Sequence, residues 1–132
     1  MRDRIISLDN LGDIETIYPL LEICVHPSCA EGIFLTIREA CSCALPVMAT
    51  AVGGIPEIAL EGRTGNLVPL RDARALAVAS FAQREVPDVA RVMGQSARRS
   101  VVECFSLDRM VQDQVDPYRD IQVGRVSESR RG

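Results

Sequence analysis

Short apolar runs alternate with helical patterns along the first 84 residues of the chain. Apolar runs bounded by turn residues are typical of buried strands, and apolar spacings of three and four are typical of one helix face. The runs predict strands at Arg4–Leu8, Ile23–His26, Pro46–Thr50 and Asn66–Val68. Strands that alternate with helices favour an α/β fold with a parallel sheet, although four strands are few for such a sheet.

Prolines and capping residues predict where the first helices begin and end. Asp13 can cap a helix that runs toward Glu22, and Pro19 inside that pattern predicts a kink or a break. A second helix ends before Pro46, and a short third helix is expected at Pro56, after a Gly-Gly turn. The apolar residues of the second helix fall on one face, at Ile33, Ile37, Ala40, Cys41 and Ala44.

The last third of the chain is predicted to be helical and then polar. Asp72 can cap a helix over Ala73–Arg84, another helix starts at Asp88, and Ser106 can cap a final one. The predicted inward residues of the last two helices are Val89, Val92, Met93, Ala97, Val101, Phe105, Leu107, Met110, Val111, Val115 and Tyr118. Residues 119–132 are polar and without a period, so we expect one domain over 1–118 and a mobile tail.

The composition is that of an ordinary globular domain. The 132 residues are 47% hydrophobic and 25% charged, which fits a single core. A net charge of −3 argues against nucleic-acid binding, which needs a positive surface. The sequence has no apolar run of about 18 residues that could cross a membrane and no secretory pattern, so the cytoplasm is the expected location. All fifteen basic residues are arginine, which excludes lysine chemistry.

Two carboxylates lie on either side of a predicted helix start. Glu31 precedes the helix and Glu39 lies in its first turns, while the amides of Phe34, Leu35 and Thr36 between them are free at the positive end of the helix dipole. An anion fits these amides, and each carboxylate can accept hydrogen bonds from neighbouring sugar hydroxyls. A nucleotide sugar has this layout, with a diphosphate between two sugar rings. Two glutamates at this spacing are also common by chance.

The cysteines and the single histidine offer a second possible chemistry. Five of these residues cluster in the sequence: Cys24, His26, Cys29, Cys41 and Cys43. Their spacing is not a standard zinc pattern, and cysteines two apart on a helix point in different directions. We therefore predict no metal site and buried, reduced cysteines. We expect His26 to line a pocket or to have a structural role.

The two glutamates belong to a longer ordered set of short motifs. In chain order the motifs are Pro27-Ser28, Glu31-Gly32, Glu39-Ala40, Pro46-Val47, Ala49-Thr50, Gly53-Gly54, Pro56-Glu57, Gly62, Thr64-Gly65 and Leu67-Val68-Pro69. This set resembles the donor domain of glycosyltransferase family 4, which has the GT-B fold, over nearly the whole chain except the tail. The resemblance implies a Rossmann-like parallel sheet with flanking helices. It also implies transfer of a sugar from a nucleotide sugar, usually with retention of anomeric configuration.

The resemblance also implies a role for each candidate residue. Glu31 would contact the donor sugar and is the predicted catalytic residue, and Glu39 would hold the ribose hydroxyls. The amides of Leu35 and Thr36 would neutralise the leaving diphosphate. The expected donor substrate is a nucleotide sugar. Family members generally need no metal ion, so no cofactor is predicted. The remaining predicted binding residues are Gly32, Ile33 and Phe34.

Three departures from the family pattern limit these implications. The chain resembles only the C-terminal part of the donor domain, so we expect its first strands, the diphosphate clamp and the acceptor domain to lie in a missing upstream part. Phe34 stands where the family usually has glycine, and its ring can fill the sugar pocket. Ala44 replaces the glycine that usually ends the helix, at a cost of roughly 1 kcal/mol if the backbone there is left-handed.

Two expectations follow from the missing upstream strands. The chain alone should be inactive as a transferase, and the incomplete sheet should leave an apolar edge, near Ile6, Val47 and Met48, that is open to self-association. The alternative to a glycosyltransferase fragment is a non-catalytic remnant or interaction module with the same fold.

Overall fold

The computed structural model describes residues 4–10, 12–32 and 35–129, which are built around a parallel sheet. The sheet has three strands in the order β1-β2-β3, at Cys24–His26, Val47–Thr50 and Gly65–Val68. Each strand begins within one residue of its predicted start, and the predicted α/β class is confirmed. Because the strands are parallel, their carboxyl ends meet at one edge of the sheet.

The described residues form five α-helices, two of which begin at predicted capping residues. They are α1 at Leu35–Ser42, α2 at Ile55–Ile58, α3 at Ala73–Arg84, α4 at Pro87–Phe105 and α5 at Leu107–Ser129. The Asp72 carboxylate accepts a hydrogen bond from the Ala75 amide at 2.8 Å, and the Ser106 hydroxyl accepts one from the Arg109 amide at 3.3 Å. The caps predicted at Asp72 and Ser106 are therefore present.

The core lies between the sheet and the helices α1 and α4. All four residues of β2 are buried, as are Ile37, Ala40 and Cys41 on the predicted face of α1. Gly94 allows α4 to approach closely, because a Cβ atom there would lie 1.9 Å from the carbonyl oxygen of Ala44. The carboxyl end of α1 is thus held closely against α4.

At the end of α1, Ala44 has the left-handed backbone conformation for which the family pattern usually has glycine. Ala44 has φ of 60°, its amide donates to the carbonyl of Cys41 at 2.9 Å, and the Leu45 amide donates to Ala40 at 3.0 Å. These two bonds form a Schellman motif, in which glycine is the usual left-handed residue. An alanine in this conformation costs about 1 kcal/mol.

The amino-terminal segment differs from its prediction. The strand predicted at Arg4–Leu8 is wrong: residues 5–10 have no regular structure, and Ile6 is 84% exposed. A strand needs a neighbour for its backbone hydrogen bonds, and no described strand lies beside this segment. The predicted edge residues Val47 and Met48 are instead fully buried, and the two edge strands of the described sheet are β1 and β3.

The helix predicted after Asp13 is also wrong. Two short 3-10 helices, Ile14–Thr16 and Tyr18–Leu20, replace it, and the Asp13 side chain makes no capping bond. The predicted interruption at Pro19 is confirmed, because this residue lies in the first turn of the second 3-10 helix, where its missing N–H is tolerated.

The inward faces predicted for the last two helices are only partly correct. In α4 the predicted Met93, Ala97 and Val101 are buried, whereas Val89 and Val92 are more than half exposed. Among the described side chains, the predicted inward residues of α5 are exposed or half-buried: Leu107, Met110, Val111, Val115 and Tyr118. Periodicity identifies a face without supplying a partner to cover it.

The predicted tail is helical over most of its length. α5 continues through Pro117 to Ser129, and the mobility of this segment stays a prediction. None of the helices described between residues 4 and 129 combines the length and the apolar character that a membrane crossing requires.

Candidate donor site at the carboxyl edge of the sheet

The predicted site residues lie at the carboxyl edge of the sheet. β1 ends at His26, and the loop that follows carries Glu31 before α1 begins at Leu35. The hydroxyl of Thr50, at the end of β2, donates a hydrogen bond to the carbonyl of Ser28 and ties this loop to the neighbouring strand. Open parallel sheets bind ligands in the crevice at this edge, so the predicted residues lie where the topology favours a site.

The Glu31 carboxylate is held by two side chains. Nε2 of His26 lies 2.7 Å from Oε1 of Glu31, and the Ser28 hydroxyl donates to the same oxygen. The hydrogen bonds from Ser28 and then from His26 hold the pKa of the Glu31 carboxyl below its usual value. Among the described residues, no donor contacts Oε2, so that oxygen remains available to a ligand hydroxyl.

The Glu39 carboxylate has a different support. The hydroxyl of Tyr18 donates to Oε2 of Glu39 at 3.0 Å, while the tyrosine side chain is only 5% exposed. Burial, and then the hydrogen bond to Glu39, raise the pKa of Tyr18, which therefore stays a neutral donor. Glu39 itself is exposed. Sequence reasoning missed Tyr18, because a residue 21 positions before its partner leaves no local spacing signal.

The start of α1 is open. Leu35 is 58% exposed, Thr36 is exposed, and neither amide donates a hydrogen bond to another described residue. A Cβ atom at Gly32 would have no described neighbour within 4 Å, so the segment before the helix also faces open space. Helix-start amides of this kind favour an anion. Ile33 and Phe34 lie outside the described residues, and the effect of Phe34 on a sugar pocket stays a prediction.

The cysteines occupy varied environments. Cys24 and Cys41 are buried, and burial raises the pKa of both thiols, that of Cys41 to about 12. Cys29 is exposed, so its predicted burial is wrong, and Cys43 is half-buried. Within the described ranges, no three histidine, cysteine or acidic side chains are grouped closely enough to hold a metal ion. The two carboxylates therefore remain the principal candidates for ligand chemistry.

Known proteins share both the sequence and the fold of this chain. N-acetyl-α-D-glucosaminyl L-malate synthase from Bacillus anthracis is 29% identical over 121 residues, which are 92% of this chain and 32% of the relative. Sucrose-phosphate synthase from Thermosynechococcus elongatus is 34% identical with a TM-score of 0.75, over 82% of this chain and 27% of that structure. The chain spans about a third of the length of the curated relatives it matches.

A further structural neighbour contains a bound nucleotide sugar. Anabaena HepE in complex with UDP-glucose is 22% identical, with a TM-score of 0.78 over 83% of this chain and 30% of that structure, which shows a shared fold. The predicted GT-B type of fold is thereby confirmed. Residues 1–81 match the family described as "Glycosyl transferases group 1". Because this match covers more than half of the 132 residues of the chain, the chain belongs to the group 1 glycosyltransferases.

Proposed function

We propose that this chain binds a nucleotide sugar and forms part of the donor domain of a family 4 glycosyltransferase that retains the anomeric configuration. One observation carries the proposal. Two carboxylates, each with its own hydrogen-bond donor, flank the open amides at the start of α1, at the carboxyl edge of a parallel sheet. The residues are Glu31 on the loop and Glu39 on the helix.

The diphosphate would lie at the start of α1. The amides of Leu35 and Thr36 point along the helix axis, and the helix dipole adds a partial positive charge there. During transfer, negative charge grows on the diphosphate as the bond to the sugar breaks, and fixed amides stabilise that charge without reorganising. This role needs no metal ion.

The two glutamates would hold the rings on either side of the diphosphate. A carboxylate beside a phosphate is repelled, whereas a carboxylate beside a sugar accepts hydrogen bonds from two neighbouring hydroxyls. We assign the ribose to Glu39 and the transferred sugar to Glu31, where Oε2 has no donor among the described residues. The UDP-glucose bound to HepE supports a nucleoside diphosphate hexose as the ligand class.

We infer that the 132-residue polypeptide, tested by itself, binds the donor without transferring its sugar. It corresponds to about a third of the length of its relatives. Transfer requires an acceptor held in contact with the donor, and such positioning supplies much of the rate enhancement. The partner that completes the enzyme would be an acceptor-binding domain or an upstream chain, and the cytoplasm remains the predicted location.

Thermal unfolding in the presence of nucleotides tests the proposal. UDP and UDP-glucose should raise the melting temperature, because a ligand at 100 times its dissociation constant adds about 2.7 kcal/mol. UMP, which lacks the second phosphate, should have a smaller effect. The double variant Glu31→Ala/Glu39→Ala should respond less to both ligands, and least relative to the wild type with UDP-glucose, whereas Glu103→Ala, at an exposed glutamate on α4, should respond as the wild type does.

Two results would contradict the proposal. If no nucleoside diphosphate or nucleotide sugar stabilises the chain, the non-catalytic interaction module becomes the better account. Transfer of glucose from UDP-glucose to an acceptor, with release of UDP, by the 132-residue polypeptide alone would refute the inferred inactivity.

A further inference from the structure

We propose that His26 is a positioning residue, which fixes the Glu31 carboxylate through Oε1 so that Oε2 is the oxygen left for a ligand. This inference rests on the function proposed above in one respect, since that function identifies the ligand of Oε2 as the transferred sugar. Ser28 acts with His26, since both side chains contact Oε1 and each other.

The hydrogen-bond pattern determines which imidazole nitrogen carries the proton. A serine hydroxyl has a single proton, and that of Ser28 is donated to Glu31. The contact of 2.9 Å between Ser28 Oγ and His26 Nε2 must then be a bond that the serine accepts. Nε2 therefore carries a proton, and this single proton is shared between Ser28 Oγ and Oε1 of Glu31, which lies 2.7 Å from Nε2.

This arrangement excludes a serine hydrolase at the same three residues. In a catalytic triad, the histidine accepts the serine proton at one nitrogen and donates to the acid from the other. Here the serine and the glutamate both contact Nε2, which is already protonated. His26 is not arranged to activate Ser28 as a nucleophile, so orientation of Glu31 is the role that the geometry supports.

The donors are more firmly anchored than the acceptor. His26 is the last residue of β1 and pairs with Ala49 in the fully buried strand β2. The backbone of Ser28 is tied to the same strand by Thr50. Glu31, in contrast, lies in the loop, where its carboxylate would otherwise rotate freely. Support of a ligand-binding group by side chains on rigid elements is what precise recognition requires.

Calorimetry with UDP and UDP-glucose tests the effect on a ligand. The measured quantity is the ratio of the two affinities, which isolates the contribution of the sugar. Loss of one hydrogen bond in His26→Leu should reduce this ratio by roughly three- to tenfold and leave UDP affinity unchanged. His26→Gln, which keeps an N–H donor, should restore the ratio, and in a Glu31→Ala background His26→Leu should have no further effect.

A measurement without ligand separates this inference from the proposed function. The pKa of Glu31, followed by NMR of its carboxyl carbon, should rise toward the usual value in His26→Leu and in Ser28→Ala. An unchanged pKa of Glu31 in His26→Leu would overturn the positioning role. The role would also be overturned if Glu31→Ala lowers the affinity ratio and His26→Leu leaves it unchanged. A His26-dependent pKa in a chain that binds no nucleotide would support the positioning and contradict only the proposed ligand.

Discussion

The sheet with α1 and α4 contrasts sharply with the amino-terminal segment and α5. Ile37 on α1 is fully buried, whereas Ile6 in the amino-terminal segment is 84% exposed and Leu107 on α5 is 70% exposed. All three are large apolar residues in patterns that predict burial. The difference lies in the neighbours: α1 packs between the sheet and α4, and the other two segments have little described structure against them. An apolar pattern thus predicts a face, and a partner decides whether that face is buried.

The largest effect expected from this contrast concerns the two isoleucines. Ile37→Ala should lower the free energy of unfolding by about 3 kcal/mol, since it removes a packed side chain and leaves a cavity. The same change at Ile6 should cost less than about 0.5 kcal/mol. Urea denaturation followed by circular dichroism measures both values. Equal losses at the two positions would show that the amino-terminal segment is packed in solution.

The unpaired edge of β1 should make the chain self-associate. Val25, in this strand, is 42% exposed, and an edge strand offers free backbone groups to another chain. Val25→Lys should weaken association at least about tenfold, because lysine at an edge opposes strand pairing. Leu107→Lys, which replaces a similarly apolar and exposed residue on α5, should have no such effect.

Sedimentation velocity over a range of concentrations measures both variants. A wild-type chain that remains monomeric at every concentration would contradict the prediction. Equal effects of the two lysines would show that general hydrophobicity, not the strand edge, drives the association.

A smaller effect is expected at the end of α1. Ala44→Gly should stabilise the chain by about 0.5–1 kcal/mol, because glycine adopts the left-handed conformation at φ of 60° without steric cost. Ala82→Gly, within α3, should destabilise by about 1 kcal/mol, since glycine is a poor helix former there. Differential scanning calorimetry should therefore show shifts of opposite sign, and a loss of stability in both variants would contradict this account of Ala44.

These cases show why some features could be predicted from the sequence and others could not. The caps at Asp72 and Ser106 and the strand β2 depend on residues close together in the chain, so their patterns were sufficient. The contact between Tyr18 and Glu39 joins residues 21 positions apart, and no periodicity reveals it. The strand expected at Arg4–Leu8 failed for a related reason, since pairing with a neighbour, not composition, decides whether a strand forms.

The candidate site divides in the same way. The spacing of Glu31 and Glu39 around a helix start was visible in the sequence, and the structure places them on a loop and a helix at the carboxyl edge of the sheet. Their supports were not visible, because His26 and Ser28 reach Glu31 only through the path of the loop. A carboxylate's orientation depends on such contacts more than on its position in the chain.

Titration calorimetry of two variants with two ligands tests the central claim most directly. Glu39→Ala should weaken UDP by roughly tenfold or more, because hydrogen bonds to a charged acceptor contribute ~1.5–3 kcal/mol. Glu31→Ala should leave UDP nearly unchanged and weaken only UDP-glucose. Equal losses for UDP in both variants would contradict the division of roles, and no loss for either ligand in either variant would contradict the donor site itself.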